Sequence, residues 1–199
     1  MFNFAMFSLE KLNRTALEYT ALVNGLSLAR VPLLAVCAPQ VVELTDERAV
    51  VKIRLDWRTR NHVGVMYFGA LAMGAELSIA LKAIQRIRES RKRIEFIFQD
   101  FQAEFLRRAD GHVHFICDEA QKVAALIDRA ASTEERLHET FRGFAIVPRS
   151  VGGAAQAGAA SVGGAVQVGA ASVGGAAREE PVMRYNLTLS VKNRSRKVS

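Results

Sequence analysis

Residues 63–84 read VGVMYFGALAMGAELSIALKAI, a run apolar on nearly every side and long enough to raise the question of a membrane span. Glu76 falls near its middle, five of the seven residues 69–75 are glycine or alanine, and Lys82 follows close behind. An ionised carboxylate at mid-bilayer costs roughly several kcal/mol, and no loop pattern of the kind that orients membrane proteins accompanies the run. A helix buried in a soluble core and wrapped by a sheet explains this composition better than an integral membrane segment.

The flanking segments supply that sheet. Residues 40–56, QVVELTDERAVVKIRLD, hold two extended runs separated by Asp46 and Glu47, with Val51, Ile53 and Leu55 alternating against Lys52, Arg54 and Asp56; this predicts a β-hairpin with one buried face. Residues 93–107 alternate twice in different phase, first at Ile94, Phe96 and Phe98, then at Phe101, Ala103 and Phe105. A slip of one position at Gln99 and Asp100 is what a β-bulge produces in a long bent strand. Ala109, Asp110 and Gly111 then turn the chain into HVHFICD, with Val113, Phe115 and Cys117 on one face, and these two strands are expected to form a second hairpin. Residues 119–131 read as a helix, 139–147 as a strand, and 182–192 as a last strand with regular alternation from Met183 to Val191.

Four segments follow from this reading. Residues 1–36 form an amphipathic helical arm, with Asn24 and Gly25 expected to stop its first helix and Pro32 to open a second turn. Residues 37–149 and 178–193 form the main domain. Residues 150–177 carry the tandem run SVGGAAQAGAA, SVGGAVQVGAA, SVGGAA, too rich in glycine and alanine to bury a core; they read as a flexible insertion in a hairpin loop. Residues 194–199 are a basic tail.

Half of the 199 residues are apolar and 24% are charged, a globular composition. The formal charge of +7 favours anionic partners such as phosphate-bearing molecules. The sequence carries no nucleic-acid-binding module, and its Lys and Arg residues are scattered apart from residues 86–93 and 192–197, so a nucleic-acid partner is not expected. Two cysteines, Cys37 and Cys117, make neither a disulfide framework nor a zinc motif, and a reducing cytoplasm is the simplest home. The opening MFNFAMFSLEKLNR does not read as a secretory signal. His112 and His114 share a strand face without an evident third ligand, so no metal is expected.

The stretch Asn61, His62, Val63, Gly64, Val65, Met66, Tyr67, Phe68, Gly69, followed by Glu76, resembles the signature of PaaI-like hotdog thioesterases. That signature has an Asn, a Gly three later, His-Gly-Gly starting six later, and a catalytic Asp or Glu fifteen after the Asn. Asn61, Gly64, Gly69 and Glu76 fit those offsets; Tyr67 stands where the family has His, and Phe68 where it has its first Gly. An uncharacterised thioesterase-like branch with Asn-His-x-Gly and then aromatic-x-Gly looks most similar. The likeness covers residues 30–149 and 180–193. It implies an α+β hotdog fold, an antiparallel sheet wrapped around a long central helix, working as a homodimer or a dimer of dimers.

The resemblance further implies hydrolysis of an acyl-CoA thioester, coenzyme A entering as part of the substrate and no other cofactor being needed. Glu76 would act as general base or nucleophile and Asn61 would orient the water or the carbonyl. The backbone N–H of Phe68, at the positive end of the helix dipole, would hold the carbonyl oxygen, with Gly69, Gly64, Tyr67 and His62 framing the substrate. Gly69 and Glu76 lie on one helix face about 10 Å of rise apart, so one chain alone struggles to bring both to one carbonyl. The implied dimer sets the helix start of one subunit opposite the carboxylate of the other. Arg58 and Arg60, or the cluster at residues 86–93, could meet phosphates. The competing reading is a non-catalytic hotdog protein that binds acyl-CoA or a fatty-acyl chain, with Tyr67 and Phe68 lining a tunnel. Glu76 could also serve only as the partner of an arginine.

Overall fold

The structure, a computed structural model, describes residues 4–148 and 180–195, with side chains from residue 15 onward. β1 (Gln40–Leu44) and β2 (Ala49–Ile53) form the first hairpin as expected, closed where the Thr45 N–H donates to the Arg48 carbonyl at 2.8 Å. β3 (Ile94–Phe105), β4 (Val113–Cys117), β5 (Leu137–Ile146) and β6 (Met183–Asn193) complete a six-stranded antiparallel sheet in the order β1-β2-β4-β5-β6-β3. One face of this sheet turns Ile53, Val113, Phe115, Phe141, Leu187 and Leu189 onto α3 (Phe68–Ser90) and α4 (Ala120–Ala131). In α4 the buried residues Ala120, Val123, Leu126, Ile127 and Ala130 recur at helical spacing, so a single apolar stripe docks it beside α3. The result is the α+β sheet-around-helix architecture anticipated for a hotdog domain.

α3 has the length and hydropathy of a membrane span, yet most of it is buried in the protein's own core. Its alanines and glycines have a packing reason. A Cβ on Gly74 would stand 2.2 Å from Cε2 of Phe115, so only glycine lets that ring lie against the helix. Among the described residues every buried side-chain nitrogen and oxygen has a hydrogen-bond partner. The Ser78 hydroxyl donates to the Ala75 carbonyl and shares a 2.7 Å hydrogen bond with the Tyr185 phenol, which burial holds above its ordinary pKa. Buried Lys82 spends its three donors on the Thr45 carbonyl, Asp46 Oδ1 and Gln85 Oε1 at 2.9–3.0 Å, which fastens α3 to the β1–β2 turn.

Two sequence expectations need correction. β3 and β4 do not form a hairpin: β3 pairs with β6 from Ile94 opposite Asn193 to Phe105 opposite Met183, while β4 pairs with β2 and β5. The expected phase slip is present, since the β3–β6 register shifts between Phe98 and Asp100. Strand length decides this pairing, because β6 matches β3 nearly residue for residue whereas β4 is five residues long. The connection after β3 instead donates the Leu106 and Arg107 N–H groups to the Val182 carbonyl and crosses the start of α3, where the Ala109 carbonyl accepts the Met66 N–H. The second correction is that Asn24 and Gly25 do not stop the arm. α1 (Phe4–Arg30) runs through them, because the Asn24 carboxamide donates both to Thr20 O, one turn back, and to Pro39 O on the neighbouring segment. Pro32 does open α2 (Pro32–Cys37).

The arm protects one sheet edge. Thr20 Oγ1 accepts the β1 amide of Val41 at 2.8 Å, and Ala16, Val23 and Leu34 pack with Leu77 and Leu81 of α3. At the other edge β3 presents twelve residues, with Ile97 and Phe105 exposed.

The repeat run at residues 150–177 lies outside the described residues, but β5 and β6 on either side of it pair antiparallel, as a hairpin does. Joining those strands by a short turn in place of residues 150–177 is expected to leave the melting temperature within about 3 °C of the parent, since closure entropy changes slowly with length. A scanning calorimetry trace shifted further, or loss of folded protein, would count against the insertion reading.

Candidate active site

The stretch before α3 builds a braced loop. The Asp56 N–H donates to Thr59 Oγ1, the Thr59 hydroxyl donates to the Arg54 carbonyl at 2.5 Å, and the N–H groups of Thr59 and Arg60 both return to the Asp56 carbonyl. Arg58 clamps Asp56 through its backbone N–H and through two side-chain bonds of 3.2 and 2.6 Å; those bonds hold the Asp56 carboxyl below its usual range. Thr59 is buried and its carbonyl accepts the Tyr67 N–H at 2.7 Å, which ties the loop to the residue that starts α3. Thr59→Val would leave an amide and a carbonyl unpaired in this turn, a cost of about 1–3 kcal/mol to be read by urea unfolding. An unchanged midpoint would show that the turn does not depend on that hydroxyl.

Asn61 folds the motif back on itself. Its Oδ1 accepts the N–H of Val63 at 2.9 Å and of Val65 at 3.3 Å, and its backbone N–H reaches the Val65 carbonyl. Gly64 closes this turn at φ +84°, a left-handed conformation that glycine adopts without penalty. His62 and Tyr67 are exposed; Tyr67 caps α3 in extended conformation without a side-chain capping bond. Its ring folds back over the first turn, where a Cβ on Gly69 would come within 2.6 Å of Tyr67 Cε1. Phe68 stacks edge-on against Tyr67 and against Phe105 of β3. The Leu71 N–H is the first to be taken up inside the helix, by the Tyr67 carbonyl. Among the described residues no acceptor outside the helix takes up the N–H groups of Phe68 and Gly69, which stand at the positive end of the dipole.

Glu76 lies two turns further along α3, on the strip shared by Gly69 and Ala72, all three half-buried. Among the described residues no hydrogen bond or ion pair engages its carboxylate, so the arginine partnership open on sequence grounds is not made. Burial alone pushes its pKa above the ordinary carboxylate value. The motif residues Asn61, His62, Gly64, Tyr67, Phe68 and Gly69 thus gather at the helix start, while Glu76 stays about 10 Å of helical rise away from Gly69.

The other candidates stand apart. Among the described residues no group of three His, Cys, Asp or Glu could hold a metal, and His112 Nδ1 accepts the Leu55 N–H at 3.1 Å. Arg86 is bound to Asp128 of α4 and to Glu89, which accounts for it structurally. The concavity lined by Lys92, Ser132, Thr133 and Asn193 sits at the far end of α3. Sequence reasoning missed Thr59 and Phe105 as parts of this site, and Trp57 on the turn that leads to it. A lone tryptophan among arginines in RLDWRTR was the available signal for Trp57; the other two become neighbours of the motif only through the fold.

A family model described as a domain of unknown function, DUF4442, matches residues 20–138, more than half of the chain. The chain belongs to the DUF4442 family. This DUF4442 chain has a fold shared with several solved proteins. One of unknown function from Chlorobaculum tepidum TLS is 8% identical with a TM-score of 0.64, over 87% of this chain and 93% of that one. A thioesterase family protein from Silicibacter pomeroyi is 14% identical with a TM-score of 0.54, over 87% and 98%. A thioesterase from Haemophilus influenzae is 13% identical with a TM-score of 0.53, over 87% and 91%. No curated protein matches this sequence. At these identities the likeness is one of fold, and that fold is the hotdog of thioesterase-family proteins.

Proposed function

We propose that this DUF4442 chain hydrolyses acyl-CoA thioesters at a site completed between two copies of itself, in a reducing cytoplasm. The observation that carries the reading is Glu76: a half-buried carboxylate of raised pKa, without a partner among the described residues, on the same helix strip as the open N–H groups of Phe68 and Gly69. A half-buried carboxylate without a structural partner gives up part of its hydration for no ion pair, and general-base work is a reason to keep it there. Glu76 would take a proton from water; the water oxygen would add to the thioester carbon while the Phe68 or Gly69 N–H holds the developing oxyanion. The C–S bond then breaks, and the coenzyme A thiolate takes up the proton.

The helical rise between Gly69 and Glu76 favours supplying them from two subunits. β3 suits that role: α1 covers the β1 edge, whereas β3 leaves twelve residues of backbone for a second copy to extend antiparallel. Asn61 is read as a positioning residue, since its Oδ1 is occupied in the loop while its Nδ2, without an acceptor among the described residues, would orient the water or the carbonyl.

One observation favours a second reading. The Tyr67 ring packed over the first turn of α3 crowds the place where a substrate carbonyl would lie, as a binding module that holds acyl-CoA without turnover could allow. Thiol release from short, long and aromatic acyl-CoAs, measured beside Glu76→Ala, separates the two. Turnover lost in a dimeric variant supports hydrolysis; no turnover in the parent supports binding alone; turnover that survives in the variant places the chemistry on another residue.

A further inference from the structure

Trp57 is the one tryptophan of the chain, and it is 78% exposed. A large apolar ring left in water on a floppy loop needs no explanation, but this ring stands on the turn described above, which is closed by hydrogen bonds from Asp56, Thr59 and Arg60 and locked to the start of α3 through Thr59 and Tyr67. The guanidinium of Arg58 is 6.0 Å from the indole centroid while its charge is neutralised by Asp56, so it braces the ring without offering a free cation. Three other arginines lie on the segments that build this corner: Arg54 and Arg60 flank the turn, and Arg108 precedes Ala109, whose carbonyl holds Met66. All three are exposed, and none makes an ion pair among the described residues. An exposed indole on a braced turn, with arginines free of ion pairs on the adjoining segments, has the chemistry that recognises a purine nucleotide, the ring stacking on the base and the arginines on its phosphates.

We infer that Trp57 is the stacking platform for the adenine of coenzyme A, with Arg54, Arg60 and Arg108 facing its phosphates. This deepens the thioesterase reading and rests on it for the ligand class alone: the acyl group arrives on a nucleotide carrier, not on one that lacks adenosine. The loop would hold the nucleotide in fixed relation to the helix start where the thioester carbonyl is to be bound.

Because Trp57 is the only indole, its emission reports this one place. Titration with coenzyme A and with adenosine 3′,5′-bisphosphate is expected to change the emission saturably, while pantetheine leaves it unchanged. Trp57→Ala is expected to weaken coenzyme A binding about 10-fold by calorimetry and to raise KM for an acyl-CoA by a similar factor, with kcat and the KM for the matching acyl-N-acetylcysteamine unchanged; Trp57→Phe should keep most of the affinity. Emission that ignores coenzyme A while the parent hydrolyses acyl-CoA would overturn the inference and leave the thioesterase standing. An equal loss against both thioesters in Trp57→Ala would also overturn it, by giving Trp57 a structural role. Nucleotide-dependent emission without turnover would uphold the platform and remove the hydrolysis.

Discussion

Glu76→Ala lowers kcat for acyl-CoA hydrolysis by about 10²–10⁴-fold, with KM changed far less, if the carboxylate is the general base proposed. Glu76→Gln, which keeps the size and removes the charge, falls equally far. The parent's kcat/KM rises with pH through the Glu76 pKa, which burial places above the ordinary carboxylate range, and levels off beyond it. Stability moves the other way. A carboxyl with a folded pKa above its unfolded one binds its proton more tightly in the native state, so its contribution is complete below the unfolded pKa and is lost as pH rises through the folded pKa. Glu76→Gln escapes that loss, so its thermal midpoint relative to the parent should climb as pH rises from the carboxylate range to neutrality. An activity profile without this ascending limb, or a variant whose relative midpoint is flat with pH, would remove Glu76 from the role.

The largest loss of stability is expected at the contact between the sheet and α3. Phe115 is fully buried and occupies the space that Gly74 leaves by lacking a side chain. Phe115→Ala should cost about 3–5 kcal/mol in denaturant unfolding, because the helix backbone cannot collapse into the vacated ring volume. Gly74→Ala should cost about 1–3 kcal/mol for the opposite reason, a methyl group driven into the ring. In Gly74→Ala/Phe115→Leu the added methyl faces a smaller side chain, so the double variant should lose less than Gly74→Ala and Phe115→Leu do in sum. Strict additivity would mean that the two positions do not share the packing described.

Much of the fold was legible because burial leaves a period in the sequence. The two-residue alternation of β2 and β6, and even the slip in β3, could be read without coordinates, since each strand keeps one face on the core. The arm's continuity was not legible: Asn24 and Gly25 are stop signals by local preference, and a bond to Pro39 from fifteen residues away overrides them. Strand partnership was not legible either. Alternation says which face of β3 is buried but not who sits beside it, so a local hairpin with β4 was the natural expectation, and β6 holds that place instead.

The site divides along the same line. The spacing from Asn61 to Glu76 is local, so the sequence by itself determined that Asn61, Gly64, Tyr67, Phe68 and Gly69 meet at a helix start and that Glu76 follows on the same face, because backbone geometry converts offsets into positions within one element. The tertiary structure alone decided that Glu76 finds no ion-pair partner among the described residues, that Lys82 does find its acceptors, that Trp57 stands braced beside the motif, and that β3 rather than β1 is the exposed edge. Those outcomes depend on which distant segments pack together. That choice is made by the summed burial and hydrogen bonding of the whole chain, and it leaves no local mark to be read beforehand.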